Sequence, residues 1–221
     1  MQKTTTLKKI SPKKPLTKGY LALLVIVLSV AAIWAAKFTL ILLRPKSFET
    51  ALARTKGDPN AQVQITEYLD FQCPACAKGS LFLSKMISDN PGQIFLQVKY
   101  YPLENMHKHA IRSARYAECA ARQGKFWPFH DLLFAQQARW KELINPEPAF
   151  QQIAMDTQLD FNWLNQCLSD DGVRETIMKE KKEGAASGIS STPTYFINGK
   201  MVVGPKLLEE ELKKHFGGST N

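Results

Sequence analysis

Residues 62–88 read QVQITEYLDFQCPACAKGSLFLSKMIS, a strand pattern that turns into a helix pattern across two cysteines. Up to Phe71 the apolar positions alternate, with Val63, Ile65 and Leu69 on one face; beyond Ala77, Leu81, Leu83, Met86 and Ile87 recur at helical spacing. Cys73-Pro74-Ala75-Cys76 therefore sits at a strand-to-helix turn. Cys73 falls at the helix cap, where unsatisfied backbone N–H groups and the positive dipole end favour a thiolate. Pro74 suits the first helical position, where its missing N–H costs nothing. Cysteine pKa values of roughly 3.5 to 7.5 are typical of such settings. The spacing thus points to a reversible redox pair, with Cys73 as the exposed nucleophile and Cys76, one turn in, as the buried resolving thiol.

A bare C-x-x-C also fits half of a zinc site. Zinc would require two further ligands, and the other cysteines, Cys119 and Cys167, stand alone on separate predicted helices. No histidine lies within three residues of Cys73 or Cys76. We therefore expect no metal and no other cofactor.

A second strand is predicted over 93–101 after the turn Asn90-Pro91-Gly92. From about 106 to 188 the pattern is helical, with helices expected at 108–123, 125–140, 147–158, 160–169 and 171–187. Strand character returns at Thr194, Asn198-Gly199 marks a two-residue hairpin, and a last helix runs over 205–216. Removing the helical block leaves strand-helix-strand followed by strand-strand-helix. That order suits one small mixed sheet with helices on its faces.

Phe71-Gln72-Cys73-Pro74-Ala75-Cys76, the later Thr192-Pro193-Thr194-Tyr195-Phe196-Ile197-Asn198-Gly199 and the helical block between them resemble the DsbA-like thiol:disulfide oxidoreductases of the thioredoxin superfamily. The resemblance covers roughly residues 60–216. It implies an α/β thioredoxin-like fold with an inserted all-helical subdomain. It also implies a cis Thr192–Pro193 peptide whose backbone lies beside the cysteines and pairs with the substrate chain. Cis bonds are uncommon even before proline, so the residues alone favour trans.

Glu67 and Lys99 interrupt otherwise apolar strands, and buried charges are costly unless paired. Their positions match the acid and base behind the buried cysteine in the family, so Glu67 is expected to relay protons for Cys76 with Lys99 as its partner. The plainer alternative is two solvent-facing strand residues. For Cys119 and Cys167, an exported compartment favours a structural disulfide over free thiols or a second redox pair. His130, set among Phe126, Trp127, Phe129 and Phe134, reads as a packed residue rather than a catalytic one.

The net charge of +9 is accounted for by residues 1–46, which hold nine lysines and arginines and no acidic residue; the remainder has 20 basic and 20 acidic residues. Net charge therefore suggests no nucleic-acid-binding face on the domain. Residues 1–19 are expected to form a cytoplasmic basic tail and 20–43 a transmembrane anchor, since about 17 to 25 apolar residues cross a bilayer. Six lysines precede the apolar run, which orients the amino terminus inward. A cleaved signal peptide, cut near Ser29-Val30-Ala31 or Val30-Ala31-Ala32, is the rival reading. Residues 44–60 read as a polar linker and 61–216 as the folded domain, outside the cytoplasm in a periplasm or at a cell surface.

The expected function is donation of disulfides to reduced or unfolded exported proteins, with a membrane quinone-linked oxidase as the re-oxidising partner that the family implies. The strongest oxidants of the family carry Pro-His between the cysteines. Ala75 occupies that place here, so a milder potential is expected and a membrane-tethered reductase or isomerase of the same fold is the alternative. A non-catalytic thioredoxin-fold binding module is the alternative of another class.

Overall fold

The computed structural model describes residues 18–42 and 46–216. It separates into two units, Met1–Arg44 and Pro45–Asn221. The expected basic tail lies outside the described residues up to residue 17.

In the first unit, helix α1 spans Lys18–Leu42 without a break. Its 25 residues correspond to about 37 Å at 1.5 Å per residue. Leu23, Ile26 and Trp34 are exposed, while Ser29 and Thr39 turn their hydroxyls back onto the carbonyls of Val25 and Ala35, which satisfies them within the helix. Among the described residues no helix is long and apolar enough to cross a membrane.

The second unit holds α2 (Lys46–Ala53), β1 (Thr55–Gly57), β2 (Val63–Leu69), α3 (Pro74–Asp89), β3 (Ile94–Tyr100), α4 (Ala110–Arg122), α5 (Phe126–Ala135), α6 (Gln137–Trp140), α7 (Glu147–Asp156), α8 (Phe161–Leu168), α9 (Asp171–Ala186), β4 (Thr194–Ile197), β5 (Lys200–Val203) and α10 (Gly204–Phe216). The five strands form one sheet in the order β1-β3-β2-β4-β5. Of the neighbouring pairs only β2 and β3 run parallel, and the crossover helix α3 joins them, as a parallel pair requires. The β4–β5 turn places Asn198 and Gly199 both at positive φ, the conformation that an Asn-Gly hairpin supplies at least cost.

Of the segment expected as a linker, 44–60, the described residues 46–60 are instead part of the second unit. They fold into α2 and β1, and β1 pairs with β3 in the register Thr55↔Gln97, Lys56↔Leu96, Gly57↔Phe95. Arg54 holds it in place. Its side chain is fully buried, donates to both Glu180 carboxylate oxygens at 2.8 and 2.7 Å and to the Val98 carbonyl at 3.2 Å, and lies over the Tyr100 ring. Gly57 must be glycine, since a Cβ there would stand 2.0 Å from the Ile94 carbonyl oxygen. A three-residue strand has no periodicity to read, and its partners lie far along the chain.

The helix predicted over 125–140 breaks at Gln136, which ends α5 and starts α6. The break lets the buried Gln137 amide donate to the carbonyls of Phe71 at 2.7 Å and Cys73 at 3.0 Å. A tertiary bond to the cysteine turn thus overrides local propensity. Cys119 and Cys167 form a disulfide between α4 and α8, with Cα atoms 5.8 Å apart.

Candidate active site

The cysteine turn is anchored by its own backbone. Cys73 caps α3 in extended geometry, its N–H bonds the Asp70 carbonyl at 3.1 Å, and its carbonyl accepts from Cys76 and Ala77. The two cysteines are free thiols. Cys73 is less open than its expected role suggested, at 7 % exposed, while Cys76 is wholly enclosed. The Thr192–Pro193 peptide is cis, and the Thr192 carbonyl oxygen lies 3.4 Å from Cys73 Sγ. On the inner side, Gly79 of α3 makes room for Tyr195, whose hydroxyl would stand 1.9 Å from a Cβ there.

This arrangement drives the two thiols apart in acidity. A hydrogen bond from the Cys76 thiol lowers Cys73 to about 5; burial opposes this, and the backbone N–H groups of Cys76 and Ala75 and the side chain of Thr192 assist it. Burial first, then the hydrogen bond and charge of Cys73, push Cys76 well above an ordinary thiol, although the Asp70 N–H donates to its sulfur at 3.4 Å. The pair can therefore hold one stabilised thiolate and one buried thiol. That asymmetry is what attack, departure and resolution in thiol–disulfide exchange require.

Glu67 lies beneath Cys76, only 1 % exposed and opposite Tyr195 in the β2–β4 ladder. Burial raises its carboxyl to about 8, an effect the nearby Tyr195 hydroxyl offsets only in part. Neither Glu67 Oε1 nor the Tyr195 hydroxyl has a partner in hydrogen-bond geometry. The charge of Glu67 in turn contributes to the raised Cys76.

Lys99 is not the partner of Glu67. The parallel register pairs Glu67 with Val98 and Tyr68 with Lys99, and adjacent strand residues point to opposite faces of the sheet. Lys99 accordingly lies over the Tyr68 ring and bonds Glu183 of α9 at 3.1 Å. A different lysine, Lys56 of β1, lines the same narrow cleft as Glu67.

Asp70 and His107 form a second polar centre with no local signature in the sequence. Asp70 Oδ1 accepts from the Gln72 N–H, and Oδ2 accepts from the Leu103 N–H and pairs with His107 Nδ1, each at 2.8 Å. The hydrogen bond to Asp70 raises the His107 pKa, against the effect of burial, and the charge on Cys73 adds to the rise. The Asp70 pairing thereby favours the imidazolium form of His107 on the Cys73 side of the turn. Gln72 completes the frame by accepting from the His109 N–H at 2.6 Å and donating to the Lys141 carbonyl at 2.7 Å. Among the described residues no group of three or more His, Cys, Asp or Glu side chains is placed to hold a metal ion.

The profile of a thioredoxin family matches residues 49–214. Among curated proteins, the chain is 31% identical over 154 residues to a Na(+)/H(+) antiporter NhaA 3 of Salinispora tropica, covering 70% of this chain and 23% of the antiporter. It is 28% identical over 170 residues to an NhaA 1 of Mycolicibacterium gilvum, covering 74% of this chain and 26% of that protein. The chain thus spans about a quarter of the length of these relatives. Solved structures of similar fold include BdbD of Bacillus subtilis, with a TM-score of 0.63, 22% identity and coverage of 75% of this chain and 93% of that one. Another is alpha-DsbA1 of Wolbachia pipientis, with a TM-score of 0.62, 22% identity and coverage of 74% and 90%. At these identities the likeness carries the fold.

Proposed function

Because the chain belongs to the thioredoxin family, we propose that Cys73 and Cys76 are the redox pair of an exported thiol:disulfide oxidoreductase that donates disulfides to reduced envelope or secreted proteins. The observation that carries this reading is the pair of free thiols at the start of α3 with the carbonyl oxygen of the cis Thr192–Pro193 peptide 3.4 Å from Cys73 Sγ, a setting that lowers Cys73 to about 5 and raises Cys76. A stabilised thiolate favours the reduced enzyme and makes the oxidised one an oxidant. A substrate thiolate attacks Cys73 Sγ of the oxidised pair, the Cys73–Cys76 bond breaks, and Cys76 leaves as a thiolate. Glu67, in its acid form, gives that thiolate a proton. A second substrate thiolate then attacks the substrate sulfur of the mixed disulfide, and Cys73 departs as the thiolate its setting stabilises. The substrate loses two electrons and the enzyme pair gains them.

Thr192 and the cis Pro193 supply the backbone edge against which an extended substrate segment lies. In the reverse direction Glu67 accepts the Cys76 proton, and a pKa near 8 suits a group that gives and takes protons near neutrality. Residues 20–43 tether the domain at a membrane, on the strength of their apolar, lysine-flanked sequence, where a membrane quinone-linked oxidase re-oxidises the pair.

Ala75, in the place of the family's thiolate-stabilising histidine, favours a second reading as a tethered reductase. The reduction potential against glutathione separates the two. A value near or above about −180 mV supports the oxidant, and one near or below about −270 mV overturns it in favour of the reductase.

A further inference from the structure

His130 sits on α5, only 3 % exposed, with its ring among Phe71, Phe126, Trp127 and Phe134. Its Nδ1 pairs with Asp131 Oδ1 at 2.8 Å, while its Nε2 is buried with no partner. Glu67 Oε1 is likewise buried without a partner, as is the Tyr195 hydroxyl on its other side; of these, only Glu67 shares a cleft with His130. Buried polar atoms left unpaired are costly, and their presence calls for an account. Both residues line one narrow cleft, together with Ser80 and Ser84 of α3, Lys56 of β1 and Asp131. The cleft has room for about one water. Ser80, Ser84 and Asp131 also line the open groove on the outer side of α3 and α5. The cleft therefore ends one side chain from solvent, and Asp131 is about half exposed.

The geometry points to a single water held between Glu67 Oε1 and His130 Nε2, with His130 and Asp131 carrying the Glu67 proton to solvent. The inference rests on Glu67 being the acid and base of Cys76. Asp131 accepts from Nδ1–H and so fixes the tautomer in which Nε2 presents its lone pair to the cleft. Burial lowers the His130 pKa, with Asp131 opposing, which keeps that lone pair free at neutral pH. The charged groups facing the ring are Asp131 of its own helix, Lys56 of β1 and Glu67 of β2; α3 offers only the two serine hydroxyls.

In the outward direction Glu67 passes its proton to the water, and the water passes one to Nε2. The imidazolium so formed beside Asp131 loses its Nδ1 proton to Asp131 and then to solvent. No electrons move, and the inward transfer is the reverse. His130 is a positioning and relay residue here, two groups removed from the reacting sulfur.

The test is single-turnover resolution of a Cys73 mixed disulfide by attack of Cys76, the step in which Glu67 takes the Cys76 proton, followed against pH in the full chain for wild type, His130→Phe, Asp131→Asn, Glu67→Gln and the Glu67→Gln/His130→Phe double variant. His130→Phe is expected to slow resolution about tenfold near pH 7 with an unchanged Cys73 alkylation midpoint. It should add nothing in the Glu67→Gln background, because the two act in one chain. Asp131→Asn, a substitution at a half-exposed position, should slow the wild type about threefold and serves as the readout where His130→Phe does not fold. A His130→Phe or Asp131→Asn rate within about twofold of wild type, with Glu67→Gln slow, overturns the relay and leaves the role of Glu67 intact. A normal rate in Glu67→Gln overturns both.

Discussion

Replacing Glu67 by Gln should make the domain more stable as pH rises while impairing its chemistry. The carboxyl moves from its ordinary 4.5 to about 8 because burial penalises the charge. Below about pH 4.5 it is neutral in both folded and unfolded chains and costs nothing. Between 4.5 and 8 the unfolded carboxyl ionises while the folded one keeps its proton, so stability falls as pH rises. Above 8 both states are ionised and the loss levels off. At 1.36 kcal/mol per tenfold change, the full loss is about 5 kcal/mol. Gln does not titrate and escapes this loss. Its amide enters the same pocket with a pH-independent penalty of about 1–3 kcal/mol. The variant is therefore expected to be slightly less stable than its parent at pH 4.5 and about 2–4 kcal/mol more stable at pH 8.5. Urea unfolding of the full chain at several pH values measures this, in a Cys73→Ala/Cys76→Ala background that removes thiol titration. A stability difference that stays flat within about 0.5 kcal/mol from pH 4.5 to 8.5 would refute the assignment of Glu67 as a buried neutral acid.

Other consequences follow from the same contacts. His107→Gln removes the cation that Asp70 holds near Cys73, and should raise the Cys73 alkylation midpoint from about 5 by roughly half to one pH unit. The contribution is complete below the raised His107 pKa and fades as pH passes through it, so an unchanged midpoint in acid solution would count against it. Cys119→Ala/Cys167→Ala opens a bridge spanning 48 positions and should lower unfolding free energy by about 4 kcal/mol in the chain-entropy treatment; a loss under about 1 kcal/mol in urea titration contradicts that account. Arg54→Ala leaves the buried carboxylate of Glu180 without its cation and Glu118 with Arg122 alone, and should cost about 3–5 kcal/mol. Equilibrium unfolding checks the value, and protease cleavage near residues 46–57 should appear with it.

How much of the site was legible in the sequence depends on the range of the interaction. The β2 strand, the turn and the start of α3 were readable because alternation, capping and proline placement act over a few residues. The helical block was readable for the same reason, except at Gln136, where Gln137 bends the chain toward carbonyls some 65 positions away. The error over Lys99 has a different origin. Glu67 and Lys99 look like a complementary pair in one dimension, and only the register, Glu67 against Val98, puts them on opposite faces. The polar segment 44–60 contains a buried arginine and an edge strand, because a charged residue buried in an ion pair looks no different in sequence from one in water.

By itself, the amino-acid sequence determined the redox motif, the order of the main elements from β2 onward and the concentration of charge ahead of an apolar segment, all of which local periodicity and residue chemistry express. Only the tertiary structure decided what surrounds the two sulfurs: Glu67 and Tyr195 beneath Cys76, Thr192 and the Asp70–His107 pair at Cys73, and His130 behind the cleft. These groups come from strands, loops and helices far apart in the chain. Their acidities are set by burial and by neighbours that exist only once the sheet has closed and β1 has covered its edge.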